Sequence, residues 1–164
     1  MLIAGIFGFF FALSSFNTSD TGIAPGLTAP ALNLENGNGQ TSLAEMRGNY
    51  VVLNFWSASD PQGRMNVRIA QSQIENLGEN DKIRQIAVNA DDSERMFSAI
   101  VRNDNMNPDL QYYVSGKKAE QVIDNFSIDK GVRTLLINPE GKIIEINPDC
   151  GSLAEKILGD KKKR

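Results

Sequence analysis

The sequence predicts an α/β fold: a mixed central β-sheet flanked by helices on both faces, with an N-terminal β-hairpin extension. Three observations predict it. Tyr50 to Trp56 (YVVLNFW) is an unbroken run of strand-forming residues, the mark of a central strand covered on both faces. Beyond it, strand-like runs alternate with segments of helical apolar spacing. Glycine-containing turns, one near each end of the chain, mark antiparallel hairpins.

In chain order, Ala31-Leu-Asn-Leu34 alternates apolar and polar residues, and Asn36-Gly37-Asn38-Gly39 supplies the first turn. Ser42-Leu-Ala-Glu45 has capping-box spacing and should open a short helical turn. After the 50–56 strand, Asp60-Pro61 combines a favoured N-cap with proline at the first helical position. Val67, Ala70, Ile74 and Leu77 then recur at helical spacing, and Gly78 closes that helix. Ile83 to Asn89 forms the next strand, joined to the first by a right-handed crossover.

Asp91-Asp92-Ser93 caps a helix whose apolar face carries Met96, Phe97, Ile100 and Val101. A polar loop from Asn103 to Asp109 leads to a short strand at Gln111 to Val114. Ala119, Val122, Ile123 and Phe126 mark a further helix. Thr134 to Asn138 and Lys142 to Ile146 flank a Pro139-Glu140-Gly141 turn as a second hairpin. A second capping box, Ser152 to Glu155, opens a terminal helix through Leu158.

The chain contains one cysteine and no histidine. It therefore excludes two-cysteine disulfide exchange within one molecule, Ser-His-Asp and Cys-His nucleophiles, and histidine-ligated or four-cysteine metal sites. No metal or cofactor is implied. The net charge of −3 argues against nucleic acid as the main partner, and the basic run Lys161 to Arg164 reads as a solvated terminus. Leu2 to Leu13 is almost wholly apolar; about 12 residues are too few to span a bilayer as a helix and suit a signal peptide. Residues 1–20 are thus expected to be a signal peptide or short membrane anchor, and 21–164 a single exported domain.

Three stretches resemble the thioredoxin-like proteins of the TlpA and ResA type, exported thiol–disulfide oxidoreductases related to the peroxiredoxins. They are Ser42-Leu-Ala-Glu-Met-Arg-Gly48, Val51-Val-Leu-Asn-Phe-Trp56, and Gly131-Val-Arg-Thr-Leu-Leu-Ile-Asn-Pro-Glu-Gly-Lys-Ile143. The resemblance runs from about Gly26 to Leu158 and implies a thioredoxin-like fold. It fails where that family keeps its chemistry. The family's two-cysteine motif aligns with Asp60, Pro61, Gln62 and Gly63, so that Asp60 replaces the nucleophilic cysteine and Gly63 the resolving one. Its cis-proline aligns with Arg133. A cis bond before a non-proline residue costs about 2.5–4 kcal/mol, so a trans Val132–Arg133 peptide is expected.

A carboxylate at a helix N-terminus is stabilised by the dipole and can cap the helix, but it cannot exchange disulfides. If the fold is kept, Asp60 and Arg133 should lie within about 6 Å and pair, contributing only about 0–1 kcal/mol when exposed. The leading expectation is a redox-inactive module in the bacterial periplasm or cell envelope. It would bind a protein or peptide partner at the former active-site face, through Trp56, Asp60, Arg64 and Arg133. An inactive subunit beside an active paralogue is a related reading. The enzymatic alternative, a thiol–disulfide oxidoreductase or peroxidase, would rest on Cys150, whose neighbour Asp149 should raise its pKa. The alternating Asn103, Asn105, Asn107 and Asp109 lack the glycine and glutamate of a calcium loop, and Ser115-Gly116-Lys117 is only a fragment of a phosphate loop.

Overall fold

The computed structural model describes residues 22–77 and 82–163. The N-terminal segment 1–20 and the helix stop at Gly78 lie outside the described residues. A two-stranded antiparallel hairpin comes first, β1 (Asn33–Asn36) and β2 (Gly39–Ser42). The elements that follow are β3 (Tyr50–Trp56), α1 (Pro61–Leu77), β4 (Ile83–Asn89) and α2 (Glu94–Asn103). The chain then runs through β5 (Gln111–Tyr113), α3 (Gly116–Phe126), β6 (Thr134–Ile137), β7 (Ile143–Ile146) and α4 (Leu153–Lys161).

Five strands form the mixed sheet in the order β5-β4-β3-β6-β7. β3 pairs parallel with β4 along its whole length and antiparallel with β6, so it is the central strand. All seven of its residues are buried. Successive side chains of a strand point to opposite faces, and β3 divides its residues accordingly. Val51, Leu53 and Phe55 join the core shared with α3 and the hairpin. Tyr50 and Val52 join the core under α1 and α4, while Trp56 packs among Val67 of α1 and Val101 of α2. Both layers of helices thus close on one strand, whose C-terminal end delivers the chain to the N-terminus of α1.

Residues 43–48 form a series of turns, opened by Ser42 Oγ accepting the Glu45 N–H at 3.2 Å. Several other local expectations are corrected. Ser93 alone caps α2, accepting from Met96 N, because Asp91 is engaged elsewhere. Met96 itself points outward at 50% exposure, leaving Phe97, Ile100 and Val101 as the packed face. Asn103 ends α2, and the loop after it carries buried Met106 and a short 3₁₀ turn at Pro108–Leu110.

At the last helix Ser152 makes no side-chain cap. Asp149 takes that role one turn earlier, accepting from Gly151 N at 3.0 Å, while Ser152 Oγ donates back to its carbonyl at 3.1 Å. The result is a 3₁₀ turn, Cys150–Ser152, ahead of α4, which then runs on past Leu158 to Lys161. Among the described residues no helix is long and apolar enough to cross a membrane.

Candidate functional site

The site lies where β3 hands over to α1. Asp60 precedes the first helical residue, Pro61, and its Oδ1 accepts the Gly63 N–H at 3.1 Å. This satisfies one of the otherwise orphaned amides of the first turn. Its Oδ2 accepts from Arg133 Nε at 2.6 Å. The carboxylate therefore folds over the start of the helix, and Gly63 leaves room for it. A Cβ at Gly63 would lie 2.9 Å from Asp60 Oδ2 and 3.1 Å from the Phe55 carbonyl oxygen. Asp60, Gly63 and Arg133 form one interlocking unit.

Arg133 stands just before β6 on a clamped backbone. Its carbonyl accepts the Phe55 N–H at 2.7 Å, extending the β3–β6 ladder. Its N–H donates to Asn147 Oδ1 at 2.7 Å, and Thr134 N donates to the same oxygen at 3.0 Å. Asn147 Nδ2 completes the clamp by donating to the Gly131 carbonyl at 2.9 Å. Asn147 adopts φ +49°, a left-handed conformation that asparagine tolerates better than most residues. No peptide bond among the described residues is cis, so Val132–Arg133 is trans. The side chains of Arg133 and Asp60 are 42% and 24% exposed, so water screens the pair and its net stabilisation is about 0–1 kcal/mol. On the opposite side Asp91, at the end of β4, fixes the loop into α1: its Oδ2 accepts Ala58 N at 2.7 Å and Asn89 Nδ2 at 2.8 Å.

Arg133 forms a wall between two surface cavities. The first, about 160 Å³, has apolar sides from Phe55, Ala90, Ile123, Ile128 and Val132, with Ser57, Asp60 and Arg133 at its rim. The second, about 360 Å³, is bounded by Gln62, Met65 and Ile69 of α1 and by Asn147, Pro148 and Cys150. Gln62 pairs along the helix with Asn66, 2.9 Å away.

The four residues expected on one binding face are not all brought together. Asp60 and Arg133 meet. Trp56 touches the first cavity but is 4% exposed; its indole N–H donates to Gln111 Oε1 at 3.1 Å and its ring stacks on Phe97 at 5.7 Å. It is chiefly a core residue. Arg64 turns away, making paired 2.8 Å bonds from Nε and Nη2 to the Asp104 carboxylate at the end of α2. Position 64 is one residue past the glycine, and the helical rotation carries it toward α2 and off the Arg133 side.

Cys150 sits in the turn before α4, 3% exposed, with Sγ 3.8 Å from the Pro148 carbonyl. Burial pushes its thiol pKa up, a hydrogen bond with Thr134 opposes this, and the Asp149 charge adds to the rise. Thr134 Oγ1 also accepts from buried Asn54 at 3.0 Å, whose Oδ1 accepts from Gln85 Nε2 at 2.9 Å. This polar layer beneath α1 was hidden in an otherwise apolar strand. Among the described residues no group of three or more His, Cys, Asp or Glu is placed to hold a metal ion.

Residues 25–146 match the AhpC/TSA family. The chain belongs to the AhpC/TSA family. Within that family it is of the TlpA/ResA type, with a thioredoxin-like fold and thiol–disulfide oxidoreductase relatives. The thiol–disulfide oxidoreductase ResA of Bacillus subtilis is 26% identical over 139 residues, which cover 84% of this chain and 74% of that one. A thioredoxin-like protein from Parabacteroides distasonis superposes with a TM-score of 0.67 at 26% identity, covering 84% of this chain and 97% of that one. A thiol:disulfide interchange protein from a Bacteroides species gives 0.71 at 22% identity, covering 83% and 89%, a likeness of fold.

In this AhpC/TSA chain the start of α1 offers a carboxylate and a glycine amide. The arrangement can bind through a charge pair beside an apolar hollow; it offers no sulfur at the helix N-terminus. Asp91 and Asn147, which hold the two sides of the site, escaped the sequence reading. Asn147 carried a signal, an asparagine directly after a strand, the residue type that tolerates a left-handed turn. Asp91 carried none, because it stood beside a better helix cap.

Proposed function

We propose that this chain is a redox-inactive, thioredoxin-like binding module, exported to the periplasm or cell envelope by residues 1–20, with 21–164 as its functional domain. The observation that carries the reading is the Asp60–Gly63–Arg133 unit. The two positions equated with the family's cysteines hold a carboxylate that caps the helix at 3.1 Å and a glycine whose missing Cβ makes room for it. The cis-proline position supplies the 2.6 Å counter-ion. Burial of Cys150 and its raised pKa support the same reading, because the thiolate is the reactive form of cysteine. The partner is a protein or peptide that docks over the cavity beside Arg133, and an active paralogue is one such partner.

The test is partner capture from an envelope fraction, comparing the full chain with Ile123→Trp, which fills the cavity wall. A partner recovered by the wild type and lost in the variant supports a binding face here. Recovery that ignores the substitution, or none above background, contradicts it.

A further inference from the structure

The cavity beside Arg133 has a composition that narrows what can occupy it. At about 160 Å³ it is of the size of a single aliphatic or aromatic side chain, and its sides are Phe55, Ala90, Ile123, Ile128 and Val132. Asp60 is the one acid among its lining residues, and Oδ2 of that acid is already held by Arg133 Nε at 2.6 Å. The guanidinium has five N–H donors in a fixed plane, and this bond uses one. Among the described residues no other acceptor is bonded to its Nη atoms, and the side chain, which lines the cavity, is 42% exposed. Its backbone is held on both sides, by Phe55 N and by Asn147 Oδ1, each at 2.7 Å. Asp60 thus fixes the direction of the guanidinium and leaves its Nη edge without an acceptor.

We propose that the cavity takes the C-terminal residue of a peptide, an apolar side chain in the hollow with its carboxylate on the Nη edge of Arg133. This deepens the binding reading above and rests on it. The charge complement is the deciding feature. A planar carboxylate matches the donor fork, whereas an internal peptide carbonyl brings one neutral acceptor. An incoming ammonium group would bring its charge against the Arg133 guanidinium, and each Asp60 oxygen already holds a donor.

The experiment is an NMR titration of the ¹⁵N-labelled full-length chain with N-acetyl-leucine and with N-acetyl-leucinamide. The same pair is run on Arg133→Gln and on Ile123→Trp, each verified as folded by its amide spectrum. The expected result is saturable shifts at Ser57, Ala90 and Gly131 to Thr134 with the acid. Affinity should be about tenfold or more weaker for the amide and for the acid with Arg133→Gln, as the loss of a charge-assisted bond implies. Equal affinity for acid and amide, or binding that survives Arg133→Gln, would overturn the assignment. So would no saturable binding of either probe to the wild type. In that event, capture of a partner that Ile123→Trp abolishes would show that the broader binding reading survives without a carboxylate.

Discussion

Asp60 carries two duties that its replacements separate. Its Oδ1 caps α1 and its Oδ2 holds Arg133. Asp60→Ala should lower the unfolding free energy by about 1–2 kcal/mol, chiefly from the lost cap. Asp60→Asn keeps an acceptor for Gly63 N and loses the ion pair, so it should cost only about 0–1 kcal/mol. Urea unfolding of the two variants checks the order. Gly63 is coupled to the same carboxylate. Alanine in a helix interior ordinarily gains about 1 kcal/mol over glycine. Here the added Cβ would meet Asp60 Oδ2 at 2.9 Å, so Gly63→Ala should lose stability, by about 1–2 kcal/mol through overpacking. Much of that loss should vanish in an Asp60→Ala background, and a double-mutant cycle measures the coupling.

At the scale of elements, the hairpin is part of the core. Leu34 of β1 is 2% exposed and packs in the cluster that holds Leu53, Phe55 and Phe126. Leu34→Ala should therefore destabilise the chain by about 2–5 kcal/mol, the range for a buried leucine. A loss below about 0.5 kcal/mol in urea unfolding, as at a surface site, would mean the hairpin folds apart from the sheet.

Most elements were legible from local signals. β3 announced itself because burial on both faces demands a continuous apolar run, and α1 because Asp-Pro followed by helical spacing is a strong start signal. What escaped depended on competition between neighbours. Asp149 took the cap that Ser152 offered in sequence, and Asp91 left the start of α2 to Ser93. Such contests are decided by packing and by partners distant in sequence, which lie outside a window of four residues.

For the whole molecule, the buried ionisable groups make stability fall on the alkaline side. Burial raises the Cys150 thiol, and burial followed by the Asp109 charge raises the Tyr112 phenol. In each case the folded chain holds a proton at a pH where the unfolded chain has released it, so unfolding gains from rising pH. The stabilisation is complete below the unfolded-state values, about 8.5 for the thiol and 10 for the phenol, and is lost as pH climbs through the folded ones. Urea midpoints should drop above about pH 8.5, and Cys150→Ala should flatten the first part of that drop.

The site was legible in outline. The family resemblance pairs Asp60 with Arg133, and the structure brings them together because the end of β3 and the start of β6 are adjacent in the sheet. Arg64 and Trp56 are drawn off the Asp60–Arg133 face because direction around a helix, and depth beneath a ring neighbour, are set by packing. Arg64 had Asp104 within reach, and Trp56 had Phe97 and Gln111.

The most direct test of the redox-inactive reading is disulfide-reductase and peroxidase turnover of the full chain, wild type beside Cys150→Ser. The expected result is no turnover above background in either, since the first turn of α1 carries no thiol and Cys150 is 3% exposed. Turnover in the wild type that disappears in Cys150→Ser would contradict it and make this a one-cysteine enzyme.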